Sequence, residues 1–352
     1  MPDLLKVLLA SIIVIPHLGY AHHSFFGRFD LDKSVILEGL VTEVHWRNPH
    51  VHIFLETTDE DGKKTQWDME SGSPTLMLRA GVPRDAIEAG QTIRVAAYPP
   101  LTNKREVFAT NILLPSGQEL MLQTGAVAKF NDQALGDFSY RFRTEGDRSH
   151  PELGLFRIWT FTGSDGFLFP ESINRNYDLN KYPMTAVAKQ ALAGFDPATD
   201  NPTNNCAVKG MPLIMEQPLP MEIVQQGENI ILRLEEYDLI RTVHMDRDAA
   251  PENQEYSVLG YSVGHWEGET LAVTTTHINY PWFNQAGIPL STEAMITERF
   301  TAIEDGSLMR YEMLITDPVN FTEPVALSKN WLHVAGLEIL PFECEEAGSI
   351  SE

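Results

Sequence analysis

The sequence predicts a mainly β chain: a small OB-like Greek-key barrel followed by a lipocalin-like antiparallel β-barrel. Three observations carry this. Short runs rich in Val, Ile, Thr and aromatic residues recur along most of the 352 residues, separated by turn residues. Only two stretches carry helix start and stop signals. The β-rich runs also fall into two groups, within 22–125 and 206–346, on either side of a segment rich in Asn, Asp and Pro.

Taken in order, residues 1–21 read as an export signal. Lys6 supplies a basic start, Val7 to Ile15 is a nine-residue apolar core, and Gly19 and Ala21 are small residues at cleavage spacing. Nine residues are too few to cross a bilayer as a helix, which takes about 20. No later stretch is long and apolar enough either, so the expectation is a periplasmic or secreted chain without stable membrane insertion after cleavage.

In the first unit, "SVILEGLVTEVHW" and "HVHIFLETT" read as strands separated by "RNPH". "TQWDME", "QTIRVAAY" and "VFATNILL" follow, with turns at "DEDGKK" and "PSGQ". One short helix fits "SPTLMLRAG", with Ser73 as its cap, Pro74 in the first turn and Gly81 at its end. Five or so strands with one helix suit a small OB-type barrel.

Residues 126–205 read as a connecting segment with one helix, Met184 to Ala193, between Pro183 and Gly194. Within it "LFRIWTF" (155–161) is a candidate first strand of the second domain. From 206 to 346, hairpins turn at Gln226-Gly227-Glu228, Glu267-Gly268-Glu269 and Glu304-Asp305-Gly306. Eight or nine sequential strands on short turns are best closed into an up-and-down or lipocalin-like barrel, because closure removes open edges. A sandwich is the runner-up, and residues 347–352 form a tail.

The two cysteines, Cys206 and Cys344, stand at the start and end of this second unit. In an oxidising compartment an even pair reads as a disulfide, here closing a loop of about 140 residues. The competing reading is a catalytic thiol. Lys and Arg number 26 against 49 Asp and Glu, a net charge of −23. Bringing a polyanion to that surface costs electrostatic work instead of releasing counterions, which argues against a nucleic-acid partner.

Histidines supply the first candidate site. Cleavage after Ala21 leaves His22 with a free amine, and the two together chelate a metal; cleavage one residue earlier places His23 third, a square-planar arrangement suited to Cu(II) or Ni(II). In "HWRNPHVHIF", His50 and His52 are two apart on an expected strand and so share a face, while Pro49 suggests an edge or bulge. His45 precedes that interruption, and its face is not assignable. The alternative is that these are ordinary structural histidines.

The second unit offers another constellation. On "LIRTVHMD", Ile240, Thr242, His244 and Asp246 share one face, and Leu239, Arg241, Val243 and Met245 the other. Arg241 among apolar neighbours needs a carboxylate, with Glu298 and Glu312 as candidates. His244 and Asp246 could form an acid–base pair at a cavity mouth, and His265 and Trp266 add an imidazole and an aromatic plug. "GYSVG", with Ser262 at its centre, matches a nucleophile elbow only superficially, since no helix follows it. Asn320-Phe321-Thr322 is a sequon that matters only in a eukaryotic source.

"AHHSFFGRFD", "VILEGLVTEVHWRNPHVHIFLE" and the later "SGSPTLMLRAG" resemble an uncharacterised family of exported bacterial proteins. Its members carry an H-H-S-F run after the signal and a W-x-N-P-H motif. The resemblance covers residues 21 to 122 and implies a periplasmic or secreted bacterial protein with no established activity. Segments of the second unit, such as "RTVHMD" and "GYSVGHWEGETLAV", resemble exported bacterial proteins of unknown function, and Glu269 stands where that pattern carries Asp.

Three functional expectations follow. The first is a protein that binds a small apolar or amphipathic ligand in the second barrel through Arg241, His244, His265 and Trp266, with copper as the candidate ion at His22, His23, His50 and His52. The second is an enzyme acting on a small apolar substrate, using His244, Asp246, Arg241 and Glu298 as acid–base or orienting groups. The third is a structural or interaction module of the cell envelope.

Overall fold

The computed structural model describes residues 28–161, 179–196, 200 and 206–344. The expected export signal, His22, His23 and the tail at 347–352 lie outside the described residues.

The first domain contains β1 (Val35–His45), β2 (His52–Thr58), β3 (Lys64–Glu70), α1 (Pro74–Arg79), β4 (Thr92–Tyr98) and β5 (Glu106–Leu113). Short strands β6 (Glu119–Met121) and β7 (Ala134–Leu135) extend the sheet, whose order is β3-β2-β1-β4-β5-β6-β7. A parallel pairing of β3 with β5 closes the first five strands into the expected OB-like barrel. Along β1 the chain pairs with β4 over Val35–Leu40 and with β2 from Leu40 onward. Gly39 sits at that handover, where a Cβ would lie 2.4 Å from the Glu56 carbonyl oxygen. Only glycine permits two strands to approach so closely.

The alternating inward residues Val41, Ile53, Leu55, Met69, Val95 and Ile112 fill this barrel, and α1 adds Met77. Pro74 opens α1 and Gly81, at φ +86°, follows its end, as expected. Ser73 does not cap it: its hydroxyl instead donates to the Asn48 side-chain oxygen at 2.9 Å. A tertiary partner has outcompeted the local one.

The second domain is a closed barrel of nine strands. These are β8 (Ile158–Phe161), β9 (Met221–Gln226), β10 (Asn229–Leu234), β11 (Leu239–His244), β12 (Tyr261–Glu267), β13 (Thr270–Thr276), β14 (Met295–Ile303), β15 (Leu308–Thr316) and β16 (Val325–His333). The helix α2 (Ala186–Ala193) precedes β9, capped by Thr185, whose hydroxyl accepts from the Ala188 amide.

Two features depart from a purely sequential antiparallel barrel. The closing strand β8 comes from the segment 126–205 and pairs with β16 on one side and β9 on the other. The pair β11–β12 is parallel, because residues 245–260 carry the chain back across the barrel before β12 begins. Trp159, Trp331, Phe300, Tyr311 and Met309 pack the interior, which is a core and not an open lumen.

Cys206 and Cys344 form the expected disulfide, with a Cα–Cα distance of 5.9 Å. It also joins the two domains: Cys344 bridges Asn48, and the Cys206 sulfur lies 3.9 Å from the Asn48 carbonyl oxygen. Nearby, Arg79 on α1 makes a two-pronged contact with the buried Glu235 carboxylate, one bond of it 2.7 Å long.

Candidate functional site

Strand alternation sorts the predicted residues onto two sides of the second barrel's wall. Register pairs Val243 and Arg241 of β11 with Ile230 and Leu232 of β10, so those four face inward. His244 therefore faces out, where its ring stacks on Tyr261 at 4.5 Å and 9°. Partial burial and the nearby Arg247 hold the His244 imidazole below its usual pKa. Asp246 is engaged by its neighbour Arg247 at 2.7 Å. The proposed quartet is thus split: His244 and Asp246 stand outside, and Arg241 and Glu298 inside.

Inside, Arg241 is 2 % exposed and donates four hydrogen bonds. Its Nε donates to Ser262 at 3.0 Å, Nη1 to Glu298 at 2.8 Å, and Nη2 to Thr275 at 2.6 Å and to the second Glu298 oxygen. Tyr311 donates to Glu298 at 2.6 Å. Burial opposes the guanidinium charge, but the Glu298 carboxylate outweighs it and keeps the Arg241 pKa raised. Burial and the same carboxylate push the Tyr311 hydroxyl well up. Of the two candidate partners, Glu298 is the one used; Glu312 faces out, opposite Ser328 and Arg299. Ser262 is buried as an acceptor in this network, so it is no exposed nucleophile.

One end of the barrel opens into a cleft of about 450 Å³. It is lined by Phe156, Gln225, Glu228, Ile230, Met245, His265 and Trp266. Trp266 keeps 44 % of its surface exposed and meets Phe156 edge to face, with ring centroids 6.1 Å apart. Gly264, two residues before Trp266, leaves room below: a Cβ there would meet Val243 at 2.6 Å and the Met245 sulfur at 2.9 Å. His265 points outward on the rim, with Nε2 3.1 Å from Glu267, and Glu267 also receives Arg299 at 2.7 Å. Trp266 and His265 are thus brought to the cleft, whereas Arg241 and His244 are not among its lining residues. Phe156, Gln225, Ile230 and Met245 escaped sequence reasoning because they come from segments far apart in the chain. Alternation alone could mark Gln225 and Ile230 as inward, but not as lying at a mouth.

On the first domain, His50 lies in the loop before β2 and only His52 is on the strand, so a shared strand face does not explain their relation. Both nonetheless border Glu70. His50 Nδ1 is 2.8 Å from the Ser71 carbonyl oxygen and 3.4 Å from a Glu70 oxygen. His52 sits directly opposite Glu70 in the β2–β3 ladder, with Nδ1 2.8 Å from Asp68. Burial pulls the His52 pKa down, but Asp68 and then Glu70 outweigh it, and the net direction is up. Arg28 joins the cluster through Glu70 at 2.8 Å and Glu106 at 2.7 Å. His45, opposite His52 across β1–β2, turns Nε2 to Glu43 at 2.6 Å. Among the described residues, no three His, Cys, Asp or Glu side chains are grouped to hold a metal ion.

Residues 11–108 match a family of unknown function (DUF6152), a similarity that spans most of the first barrel. No curated protein matches the chain, and no solved structure does.

Proposed function

We propose that this chain is an exported protein that binds one small apolar or amphipathic molecule at the mouth of its second barrel. The carrying observation is the cleft of about 450 Å³ in which Phe156, Trp266, Ile230 and Met245 offer apolar surface under a rim of Gln225, Glu228 and His265. Small-molecule sites are concave clefts of a few hundred Å³ that pair apolar contact surface with placed polar groups, and the nearly equal apolar and polar lining here suits an amphipathic molecule. The two aromatic faces supply contact area, and the rim holds a polar end in water. Because the interior beneath is packed, the ligand seats at the mouth and not within a lumen. The apolar first segment and the Cys206–Cys344 disulfide support export.

The enzymatic reading finds less support. General acid–base work needs its groups within hydrogen-bond reach of one substrate position, and the wall of the barrel separates His244 and Asp246 from Arg241 and Glu298.

A neutral apolar fluorophore, N-phenyl-1-naphthylamine, tests the site by titration into the full chain. Its emission should rise on binding, and Trp266→Ala and Phe156→Ala should each weaken binding by about tenfold, a loss of about 1.4 kcal/mol. No saturable binding, or the same isotherm in both variants, would leave the envelope-module reading standing instead.

A further inference from the structure

If a small molecule seats at the barrel mouth, as proposed above, the charge around that mouth specifies its class. Three hairpin turns stand there, at residues 226–228, 267–269 and 304–306. The registers place them at one end of the barrel. Ile230, beside the first turn, pairs with Val243, and Val243 pairs with Ser262, from which β12 runs on to the second turn. Thr270, which closes that turn, pairs with Thr301 of β14, next to the third.

These turns carry the carboxylates of Glu228, Glu267, Glu269, Glu304 and Asp305 and no basic side chain. Arg299 meets Glu267 at 2.7 Å and Arg148 meets Glu304 at 3.5 Å. Glu228, Glu269 and Asp305 have no ion pair among the described residues. The cleft repeats this bias. Glu228 lines it, no Lys or Arg does, and its one histidine, His265, leans on Glu267. Arg157, beside Phe156, is occupied elsewhere: its guanidinium donates to the His150 and Gly306 carbonyl oxygens and lies over Trp159.

The apolar lining fits the same sign of charge. Trp266 and Phe156 both border the cleft, and an aromatic ring offers a cation its negative face, indole most strongly. Met245 adds a polarizable sulfur. A cleft of this volume is about 10 Å across, close to one Debye length at 0.1 M salt, so Glu228 acts on a cation anywhere within it.

We propose that the ligand of this mouth is an organic cation, a quaternary or protonated amine on an apolar body. Its ammonium group rests on the Trp266 ring within the field of Glu228, and its body lies against Phe156, Ile230 and Met245. The acidic rim draws such a molecule in and repels anionic amphiphiles of the same shape.

The test compares two ions that share one body, (1-naphthylmethyl)trimethylammonium and 1-naphthylmethanesulfonate. Each competes with the neutral fluorophore N-phenyl-1-naphthylamine on the full chain. The ammonium should bind at least about tenfold more tightly than the sulfonate at low salt, and the ratio should shrink in 0.5 M NaCl, a test concentration of about 4 Å Debye length. Glu228→Gln should narrow the ratio at least about threefold, whereas Glu60→Gln, in an exposed turn of the first domain, should leave it alone. Trp266→Leu keeps apolar bulk but removes the π face, so it should weaken the ammonium at least about threefold more than the fluorophore. Unchanged thermal unfolding of each variant excludes a lost fold as the cause. Equal binding of the two ions, or a preference for the sulfonate, overturns the cation while Trp266-dependent binding of the fluorophore keeps the mouth site. A ratio unaltered in Glu228→Gln, or equal losses of both ligands in Trp266→Leu, also overturns it. If the fluorophore does not bind, the neutral-ligand test of the mouth has failed, and calorimetric titration of the ammonium decides the cation by itself: the absence of saturable binding overturns it.

Discussion

Arg241 is the most informative residue in the chain. Its place among Leu239, Val243 and Met245 already implies a charge that is either peripheral or buried, and a buried one needs a carboxylate to meet it. Choosing Glu298 over Glu312 required the register, since one step along β14 or β15 moves a side chain through the wall. Arg241 makes four donor contacts, to Glu298, Ser262 and Thr275, and Tyr311 donates a further bond to Glu298, so the network is best understood as structural. Removing one partner leaves the other charged and buried, so Glu298→Ala should cost about 3–5 kcal/mol in a denaturant titration. A loss below about 1 kcal/mol, the range of exposed ion pairs, would mean that water reaches this point.

At the scale of the element, alternation on β11 predicts the two faces correctly, and the structure assigns the Arg241 face to the interior. What alternation cannot supply is the end of the barrel at which a residue sits. Trp266 reaches solvent because it lies at the end of β12, one residue before the Glu267–Thr270 pair that opens the turn to β13. Gly264 sets the spacing there, and Gly264→Ala places a methyl group against Val243 and Met245. Overpacking of that kind costs about 1–3 kcal/mol, which a lowered denaturation midpoint at unchanged slope should report. His50 and His52 teach the converse lesson. The strand begins only at His52, yet both residues border Glu70, because the loop before β2 and β2 itself run along β3 at Glu70 and Ser71.

Across the whole molecule, the disulfide is the main covalent tie between distant parts. It spans 138 residues and fastens the last described residue, Cys344, beside Asn48 in the first domain. In the chain-entropy account such a loop contributes about 4–5 kcal/mol. A Cys206→Ser/Cys344→Ser variant should lose about that much in chemical denaturation; an unchanged midpoint would show that Arg79–Glu235 and the Asn48 contacts hold the domains without it. Local chemistry by itself determined the mainly β class, the two barrels, the turns at Gly227, Gly268 and Gly306, and the cysteine pairing. These follow from two-residue periodicity, glycine's access to positive φ, and an even cysteine count. Tertiary structure alone decided that β8 closes the second barrel, that β11 and β12 run parallel, and that Phe156 meets Trp266. Each of these joins segments remote in sequence, and their pairing is selected by the summed burial and register of the closed barrel, which no local window contains.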